Sequence, residues 1–143
     1  MSVGRILAEK GHEVQTIQPH RTLAEAAHVL AERRIGAAVV TGADGTVLGI
    51  LSERDIVRAL AETGPDALNE PVSRRMTAKV MTCNEAMGIE AAMEMMTSGK
   101  FRHLPVVHDG RLSGIISIGD VVKRHIEKIE AETKAMRDYI AMA

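Results

Sequence analysis

The chain has 143 residues with a formal net charge of −1, 45% apolar residues and 26% charged residues. This composition is typical of a globular domain that can bury a sizeable core, and it excludes a disordered chain. The near-neutral charge gives no general attraction to nucleic acid or to an anionic membrane, and aromatic residues, at 1%, offer no stacking platform for single strands. We therefore expect neither a nucleic-acid nor a membrane partner.

The location of the protein is indicated by its single cysteine and by its first residues. Cys83 has no second cysteine to pair with, which favours a reducing compartment. The first residues lack the apolar run of a signal peptide, and no apolar stretch approaches the roughly 20 residues of a membrane span. We expect a cytoplasmic protein, and we interpret Cys83 as a buried inert thiol in preference to a redox switch.

The first half of the chain predicts a lead-in helix followed by a β-α-β-β-α unit. In chain order, the expected elements are a helix over residues 2–10, a strand over 14–17, a helix from Thr22, strands over 37–40 and 47–51, and a helix from Ser52. Ser2 is suited to cap the first helix and Gly11 to end it. Thr22 and Glu25 form a capping box in front of an apolar helical repeat.

The second half shows the same order of elements after a linker. Glycine and proline residues between positions 64 and 71 interrupt the chain, and a short helix is expected over residues 72–76. Arg75 in this helix is interpreted as facing solvent. The remaining expected elements are a strand over 80–83, a helix over 88–98 ended by Gly99, strands over 103–108 and 111–116 joined by the Asp109-Gly110 turn, and a helix from Ser117.

Residues 80–126 repeat residues 14–60 at nearly constant spacing. Val80 corresponds to Val14 at an offset of 66 residues, and Asp120 corresponds to Asp55 at an offset of 65. One copy is too short to bury a good core, so the two copies must pack on each other, and a cleft between them can hold a ligand. The expected organisation is a lead-in helix over 1–13, repeat one over 14–60, a linker over 61–79, repeat two over 80–126 and a helical extension over 127–143.

The last helix continues past the end of the repeat and has an apolar stripe. Apolar or small side chains recur at alternating intervals of four and three residues, at Val122, Ile126, Ile129, Thr133, Met136 and Ile140. A stripe with this spacing forms one face of a helix and needs a partner surface. Two arrangements satisfy it, contact with a second copy of the chain or folding back on the core of the same chain.

Four repeated motifs resemble those of a known family. They are residues 102–107 (RHLPVV) and 114–120 (GIISIGD) in repeat two, and residues 36–40 (GAAVV) and 49–55 (GILSERD) in repeat one. In this order and spacing the chain resembles a tandem pair of cystathionine-β-synthase-type (CBS) domains, or Bateman module, over about residues 1–130. It is most similar to small stand-alone bacterial CBS-pair proteins.

The resemblance implies both a fold and a function. The implied fold is α/β (α+β), with two pseudo-twofold-related β-α-β-β-α units packed sheet to sheet, two clefts and a long C-terminal helix. Such modules bind AMP, ADP, ATP, NAD(H) or S-adenosylmethionine, act as regulatory sensors and often form homodimers. The regulated protein is not identified by the sequence. The alternative is a ligand-free dimeric scaffold for a partner protein.

An enzyme is not expected. The sequence contains no P-loop, no readable set of nucleophile, base and orienting residue, and no histidine spacing typical of a metal site. We therefore predict that the protein has no catalytic cofactor and no metal, and that an adenine nucleotide such as AMP, ATP or NAD(H) is its ligand.

Two Ser-x-x-Asp motifs are the central candidates for ligand binding. Ser52 with Asp55 and Ser117 with Asp120 each precede an apolar helix, where such pairs form capping boxes without any ligand. The same helix start also presents free N–H groups to a phosphate. The resemblance implies that the aspartate binds the ribose and that the serine lies near the phosphate. The two interpretations are compatible.

The basic pair Arg102-His103 is the second candidate. The resemblance implies that basic residues before this strand reach the phosphates, whereas the alternative is a solvated basic patch beside Lys100. His103 is expected to titrate near neutral pH, so phosphate affinity would fall as the pH rises.

The two sites are predicted to be unequal. Repeat one has Gly36-Ala37 in place of the basic pair, and Glu53 beside Ser52 opposes a phosphate although Arg54 compensates. We expect the site at residues 117–120 to take a mononucleotide, and the site at 52–55 to be weaker or to hold a larger or less charged ligand. The full candidate set is Ser117, Gly119, Asp120, Arg102, His103, Leu104, Pro105, Thr82, Ser52, Arg54, Asp55, Thr16 and Ala37, with both threonines assigned to the adenosine pocket by the resemblance.

Overall fold

The computed structural model describes residues 1–142 and contains, over that range, six α-helices, five strands and one 3₁₀ helix. The helices are α1 (Val3–Lys10), α2 (Leu23–Arg33), α3 (Glu53–Thr63), α4 (Val72–Arg75), α5 (Ile89–Gly99) and α6 (Ile118–Met142), with the 3₁₀ helix at Pro65–Asn69. The strands are β1 (Thr16–Ile17), β2 (Ala37–Thr41), β3 (Val47–Ser52), β4 (His103–His108) and β5 (Arg111–Ser117). The predicted mixed fold of two related units and a long last helix is confirmed.

Repeat one forms a three-stranded sheet in the order β1-β2-β3. Strand β1 lies parallel to β2, and β2 lies antiparallel to β3. Ala38 and Val40 point into the core of this repeat, while Ala37, Val39 and Thr41 alternate onto the other face and are buried as well. Strand β2 is therefore packed against other segments on both faces, as expected for the central strand of a two-layer module.

Repeat two has a smaller sheet than predicted. Strands β4 and β5 pair antiparallel, but the predicted strand over residues 80–83 is reduced to one parallel bridge between Cys83 and Val106. Cys83 donates its N–H to the carbonyl of Pro105 over 3.0 Å and accepts from Val107 over 2.8 Å. The pairing ends at once because Asn84 begins a turn, in which its side chain accepts from a backbone N–H two residues on.

Each repeat has its own hydrophobic core, and the lead-in segments are exchanged between the two cores. Helix α1 precedes repeat one, yet its residues Val3 and Leu7 are buried among core residues of repeat two such as Leu104. The linker precedes repeat two, yet Ala67 and Val72 are buried in the core of repeat one. This exchange ties the two repeats together, because separating them would expose apolar surface on both.

Two glycines at equivalent positions allow these lead-in segments to lie directly on the sheets. A Cβ atom on Gly114 would lie 2.8 Å from methyl carbons of Leu7. A Cβ atom on Gly49 would lie 2.7 Å from both the sulfur of Met76 and the carbonyl oxygen of Thr77. The shared Gly-Ile motif of the two repeats is therefore explained by close approach of another segment to each strand.

The helices begin and end as the sequence predicts, with two exceptions. The Thr22 side chain accepts from the N–H of Glu25 as predicted, but Ser2 makes no side-chain cap bond at the start of α1. Gly99 lies inside α5, and Lys100 takes the left-handed conformation that ends the helix, with φ of 57°. Gly99 is needed for a different reason, since the ring of Phe101 packs over its Cα where a side chain would stand.

The linker is held to α3 by a half-buried arginine. Arg75 forms ion pairs of 2.6 Å with Glu70 and with Glu62, and its side chain is 19% exposed. The expectation that Arg75 faces solvent is therefore wrong. Hydrogen bonding from Arg75, only partly offset by burial, lowers the pKa of Glu70 below its ordinary value. The ion pairs fix the linker against repeat one, where it also contributes to the core.

Only the first part of α6 contacts the rest of the chain. Val121 is buried, Arg124 forms an ion pair with Glu9 of α1, and Lys128 contacts Glu90 of α5 over 2.9 Å. From Ile129 to residue 142 every side chain is exposed. The helix therefore does not fold back on its own core. No helix within residues 1–142 combines the length and apolar character needed to cross a membrane.

Candidate functional site

An open cavity of about 510 Å³ lies at the start of α3, and it is called the first cleft here. Its volume falls within the range of small-molecule sites. It is lined by residues 36–37, 50, 52–55 and 58 of repeat one, and by residues 77, 79–81 and 99–103 of the linker and repeat two. Both repeats therefore contribute to one cleft.

The start of α3 is organised by a complete capping box. Asp55 donates its N–H to Ser52 Oγ over 3.3 Å, and Asp55 Oδ2 accepts from the Ser52 N–H over 2.8 Å and from its hydroxyl over 3.1 Å. The other oxygen, Oδ1, lies 3.9 Å from Arg58 Nη1. The capping interpretation is thus correct, and it fixes the Asp55 carboxylate at the wall of the cleft.

The first cleft has an excess of positive charge. Five cationic side chains and two carboxylates line it: Arg54, Arg58, Lys79, Lys100 and Arg102 against Glu53 and Asp55. Among residues 1–142, four of these cations (Arg54, Lys79, Lys100 and Arg102) make no ion pair within 4.0 Å. These cations favour an anionic ligand.

His103 lies between the two repeats. It pairs with Ser117 across β4 and β5, and a Cβ atom on Gly36 would lie 3.8 Å from its Cε1 atom. Burial and the nearby Lys10 lower the pKa of His103 below its usual 6.5, despite the opposing effects of Asp120 and Glu53. His103 is therefore protonated less readily than an ordinary histidine, which opposes the expectation that it titrates near neutral pH.

The start of α6 repeats the cap but has a different neighbour, and the region in front of it is called the second cleft here only because it corresponds to the first cleft in the repeat. Asp120 Oδ2 accepts from the Ser117 N–H over 2.9 Å, and Ser117 Oγ accepts from the Asp120 N–H over 3.1 Å. Lys10 of α1 also donates to Asp120 Oδ2 over 2.7 Å and to the carbonyl of Ile115 over 3.1 Å. Burial raises the pKa of Asp120, but hydrogen bonds from Lys10 and Ser117 outweigh it, so the pKa is lowered.

The remaining predicted site residues are distributed unevenly. Ala37 lines the first cleft, whereas Leu104 is fully buried in the core of repeat two and Pro105 is buried on the other face of β4. Thr16 is exposed and Thr82 is half-buried, and neither lines the first cleft. Gly119 is exposed in the first turn of α6.

Sequence reasoning missed a wall of the first cleft. Thr77, Lys79, Val80 and Met81 line it, just before the threonine that the sequence favoured. Ile50 and Thr77 exchange two backbone hydrogen bonds, of 3.0 and 2.9 Å, which bring this segment to the cleft. In the sequence, these residues could be found only by their closeness to Thr82. The pairing of this segment with β3 is not visible in the sequence.

Cys83 is a buried thiol. Its side chain is 4% exposed in the core of repeat two, and burial raises its pKa to about 11. A protonated, buried thiol reacts slowly, so the inert interpretation is supported. Among residues 1–142, no group of three or more histidine, cysteine, aspartate or glutamate side chains is arranged to hold a metal ion.

Comparison with known proteins identifies the family. The model of the CBS domain matches residues 5–62 and 72–127. The chain therefore belongs to the CBS domain family and contains two such domains, as the repeat predicted.

Three similar proteins illustrate the relationship. The CBS-domain protein ATU1752 from Agrobacterium tumefaciens is 49% identical, with a TM-score of 0.84 over 87% of this chain and 99% of that one. An uncharacterized 17.7 kDa protein of Acidianus ambivalens is 37% identical over 78% of this chain, which spans 66% of the relative's length. The CBS domain protein PAE2072 from Pyrobaculum aerophilum, solved in complex with AMP, is 29% identical, with a TM-score of 0.75 over 84% of this chain and 89% of that one.

Proposed function

We propose that this protein is a regulatory module that senses an adenine nucleotide in the first cleft. The observation that supports this most is an open, cationic cavity at a capped helix start that is built from both CBS domains. The AMP complex of the similar Pyrobaculum protein supports an adenosine-containing ligand. Binding would stabilise one arrangement of the two repeats, and a partner protein would respond to that arrangement.

The proposed binding mode follows from the side chains that line the cleft. Asp55 Oδ1 accepts from the ribose hydroxyls, because Oδ2 is already used by the cap. The side chains of Arg54 and Arg102 bind the phosphates. The adenine lies against the apolar side chains of Val80 and Met81 and hydrogen-bonds to backbone groups.

The charge of the cleft favours ligands with more than one phosphate. Five cations against two carboxylates leave three formal positive charges. ADP or ATP should therefore bind more tightly than AMP, and the difference should decrease as salt is added. NAD(H) remains a candidate because the cleft is open. The sequence favoured the site at Ser117–Asp120 for a mononucleotide; we propose instead that the first cleft is the stronger one.

We infer that the module acts by binding and not by catalysis. The one serine hydroxyl that lines the first cleft, that of Ser52, is hydrogen-bonded within the helix cap, and the neighbouring carboxylate is its partner. The only cysteine is buried and protonated at neutral pH. Neither group is arranged as an activated nucleophile beside a base.

Thermal unfolding with and without nucleotide tests the proposed function. A nucleotide at about 100 times its dissociation constant should add about 2.7 kcal/mol of stability, which is roughly 5–10 °C for a chain of this size. Asp55→Asn should remove most of this increase. Glu85→Gln is the control and should keep the increase, because Glu85 does not line the first cleft. No shift with AMP, ADP, ATP or NAD(H) would contradict nucleotide sensing.

The exposed stripe on α6 favours a second role, as a dimeric scaffold. The side chains of Ile126 and Ile129 are 49% and 48% exposed although this part of the helix is docked, because Val121, Arg124 and Lys128 face the domain instead. The stripe thus points away from its own domain. Spacing by four and three residues is that of a two-stranded coiled coil.

We propose that a second copy of the chain covers this stripe. In a parallel pair, Glu132 of one copy faces Arg137 of the other, so the flanking charges are complementary. Size-exclusion chromatography with light scattering should show a dimer, and Ile129→Glu with Met136→Glu should convert it to a monomer. Ala131→Glu on the opposite face is the matched control. A monomeric wild-type protein, or a dimer that survives the double substitution, would refute the proposal.

A further inference from the structure

The two helix starts share a cap but differ in one cation. Lys10 donates to Asp120 Oδ2 over 2.7 Å in the second cleft. The residue that corresponds to Lys10 in the repeat, at an offset of 66 residues, is Met76, whose sulfur packs on Gly49. Asp55 therefore has no equivalent lysine, and its nearest cation, Arg58, is 3.9 Å away.

The Lys10 side chain also takes the place that a backbone segment has in repeat one. In repeat one, Ile50 exchanges two hydrogen bonds with the backbone of Thr77, and the residues that follow become a wall of the first cleft. In repeat two, the carbonyl of the equivalent Ile115 accepts from the Lys10 ammonium over 3.1 Å. The lysine side chain thus spans from α1 across the edge of β5 to Asp120.

The other charges of the first cleft are only partly matched at the second helix start. Arg58 and Lys100 correspond to Lys123 and Arg34, and the carboxylate Glu53 corresponds to Ile118. Arg54 beside the first cleft corresponds to Gly119 at the second helix start, and Lys79 corresponds to Glu13. Two cations that would face phosphates are therefore replaced by a glycine and a carboxylate. At the second helix start the carboxylate is therefore already paired with Lys10, and the counterparts of Arg54 and Lys79 are missing as cations.

We propose that Lys10 decides which cleft accepts a nucleotide. By neutralising Asp120 and crossing the edge of β5, it closes the second cleft to ribose, so that the chain binds one nucleotide in the first cleft. This inference rests on the proposed function, and it makes Lys10 a specificity-determining residue contributed by the lead-in helix of the other repeat.

Isothermal titration with ADP as the probe tests the inference through stoichiometry. The wild-type protein should bind one equivalent per chain. Lys10→Met, which introduces the residue found in repeat one, should bind two equivalents, with the second at least tenfold weaker. Combining Lys10→Met with Asp120→Asn should return the stoichiometry to one.

A matched control separates the role of Lys10 from the loss of a surface ion pair. Lys128 contacts Glu90 over 2.9 Å and is 39% exposed, close to the 36% of Lys10, but its partner is not the aspartate of a Ser-x-x-Asp cap. Lys128→Met should leave the stoichiometry at one. Circular dichroism should show that each variant is folded.

The outcomes distinguish this inference from the proposed function. One equivalent for both the wild-type protein and Lys10→Met would overturn the inference and leave the proposed function intact. Two equivalents for the wild-type protein would also overturn it. If Asp55→Asn leaves the single wild-type site unchanged while Asp120→Asn abolishes it, both the assignment to the first cleft and the closure by Lys10 are wrong.

Discussion

The start of α3 and the start of α6 have the same sequence pattern and the same cap, yet they face different surroundings. The first opens onto a cavity with excess positive charge, whereas Asp120 at the second is bonded to Lys10. The difference arises outside the motif, in the lead-in segments that cross between the repeats. A repeated motif therefore predicts a repeated local structure, but the ligand-binding properties depend on what packs against it.

The largest expected difference between the repeats concerns Gly49 and Gly114. An alanine at either position meets atoms at 2.7 to 2.8 Å, but the Cβ at Gly49 would contact the backbone oxygen of Thr77, whereas at Gly114 it would contact methyl groups of Leu7. Side-chain ends yield more easily than backbone, and overpacking costs about 1–3 kcal/mol. Gly49→Ala should therefore lower the free energy of unfolding by an amount near the upper end of this range, and Gly114→Ala by an amount near its lower end.

Chemical denaturation of the two glycine variants measures this difference as a free energy of unfolding. An equal loss in both variants would show that the linker segment adjusts as readily as Leu7 does. Gly45→Ala is not a suitable control, because its φ of 83° makes any side chain strained. Gly119→Ala, where the nearest atom would be 3.6 Å away, is a suitable one.

The two helix caps should contribute equally when no ligand is present. Ser52→Ala and Ser117→Ala each remove the bond that the serine oxygen accepts from the N–H of the aspartate, and each loss should cost about 1 kcal/mol; Ser52→Ala also removes the bond from its hydroxyl to Asp55 Oδ2. With ADP present, the cost of Ser52→Ala should increase while that of Ser117→Ala stays the same. Urea unfolding with and without ADP checks this, and an increase at Ser117 instead would reverse our assignment of the clefts.

A smaller effect is expected from His103 as the pH changes. Because its pKa is lower in the folded chain than the usual 6.5, the unfolded chain binds the proton more readily, and stability falls as the pH drops below about 6.5 toward the folded pKa. His103→Gln should reduce this fall. Melting temperatures between pH 8 and pH 5 measure it, and an unchanged pH dependence would show that other groups cause it.

The smallest expected effect concerns the first strand of each repeat. Cys83 and Ile17 are at equivalent positions and both are buried. Because burial raises the pKa of Cys83 to about 11, iodoacetamide at pH 7.5 should not label the folded protein, although it labels the unfolded chain. Rapid labelling of the folded protein would show that the single bridge at Cys83 opens easily, unlike β1.

Much of the fold was predictable from local pattern. The capping residues Thr22 and Ser52 and the Asp109-Gly110 turn act on residues within four positions of themselves, so their effects are visible in the sequence. The strand over 80–83 was overpredicted because its length depends on pairing with β4, which is distant in sequence. For the same reason, Lys79 and Met81 were missed as cleft residues.

The sequence by itself determined the repeat, the family, the caps at Thr22, Ser52 and Ser117, and the stripe on α6, since each depends on spacing along the chain. Only the tertiary structure decided that α1 packs on repeat two, that the linker packs on repeat one, and that Lys10 reaches Asp120 across 110 positions. Contacts over such separations follow from how apolar surfaces are buried together, and no local pattern records them. The inequality of the two clefts is a property of that packing.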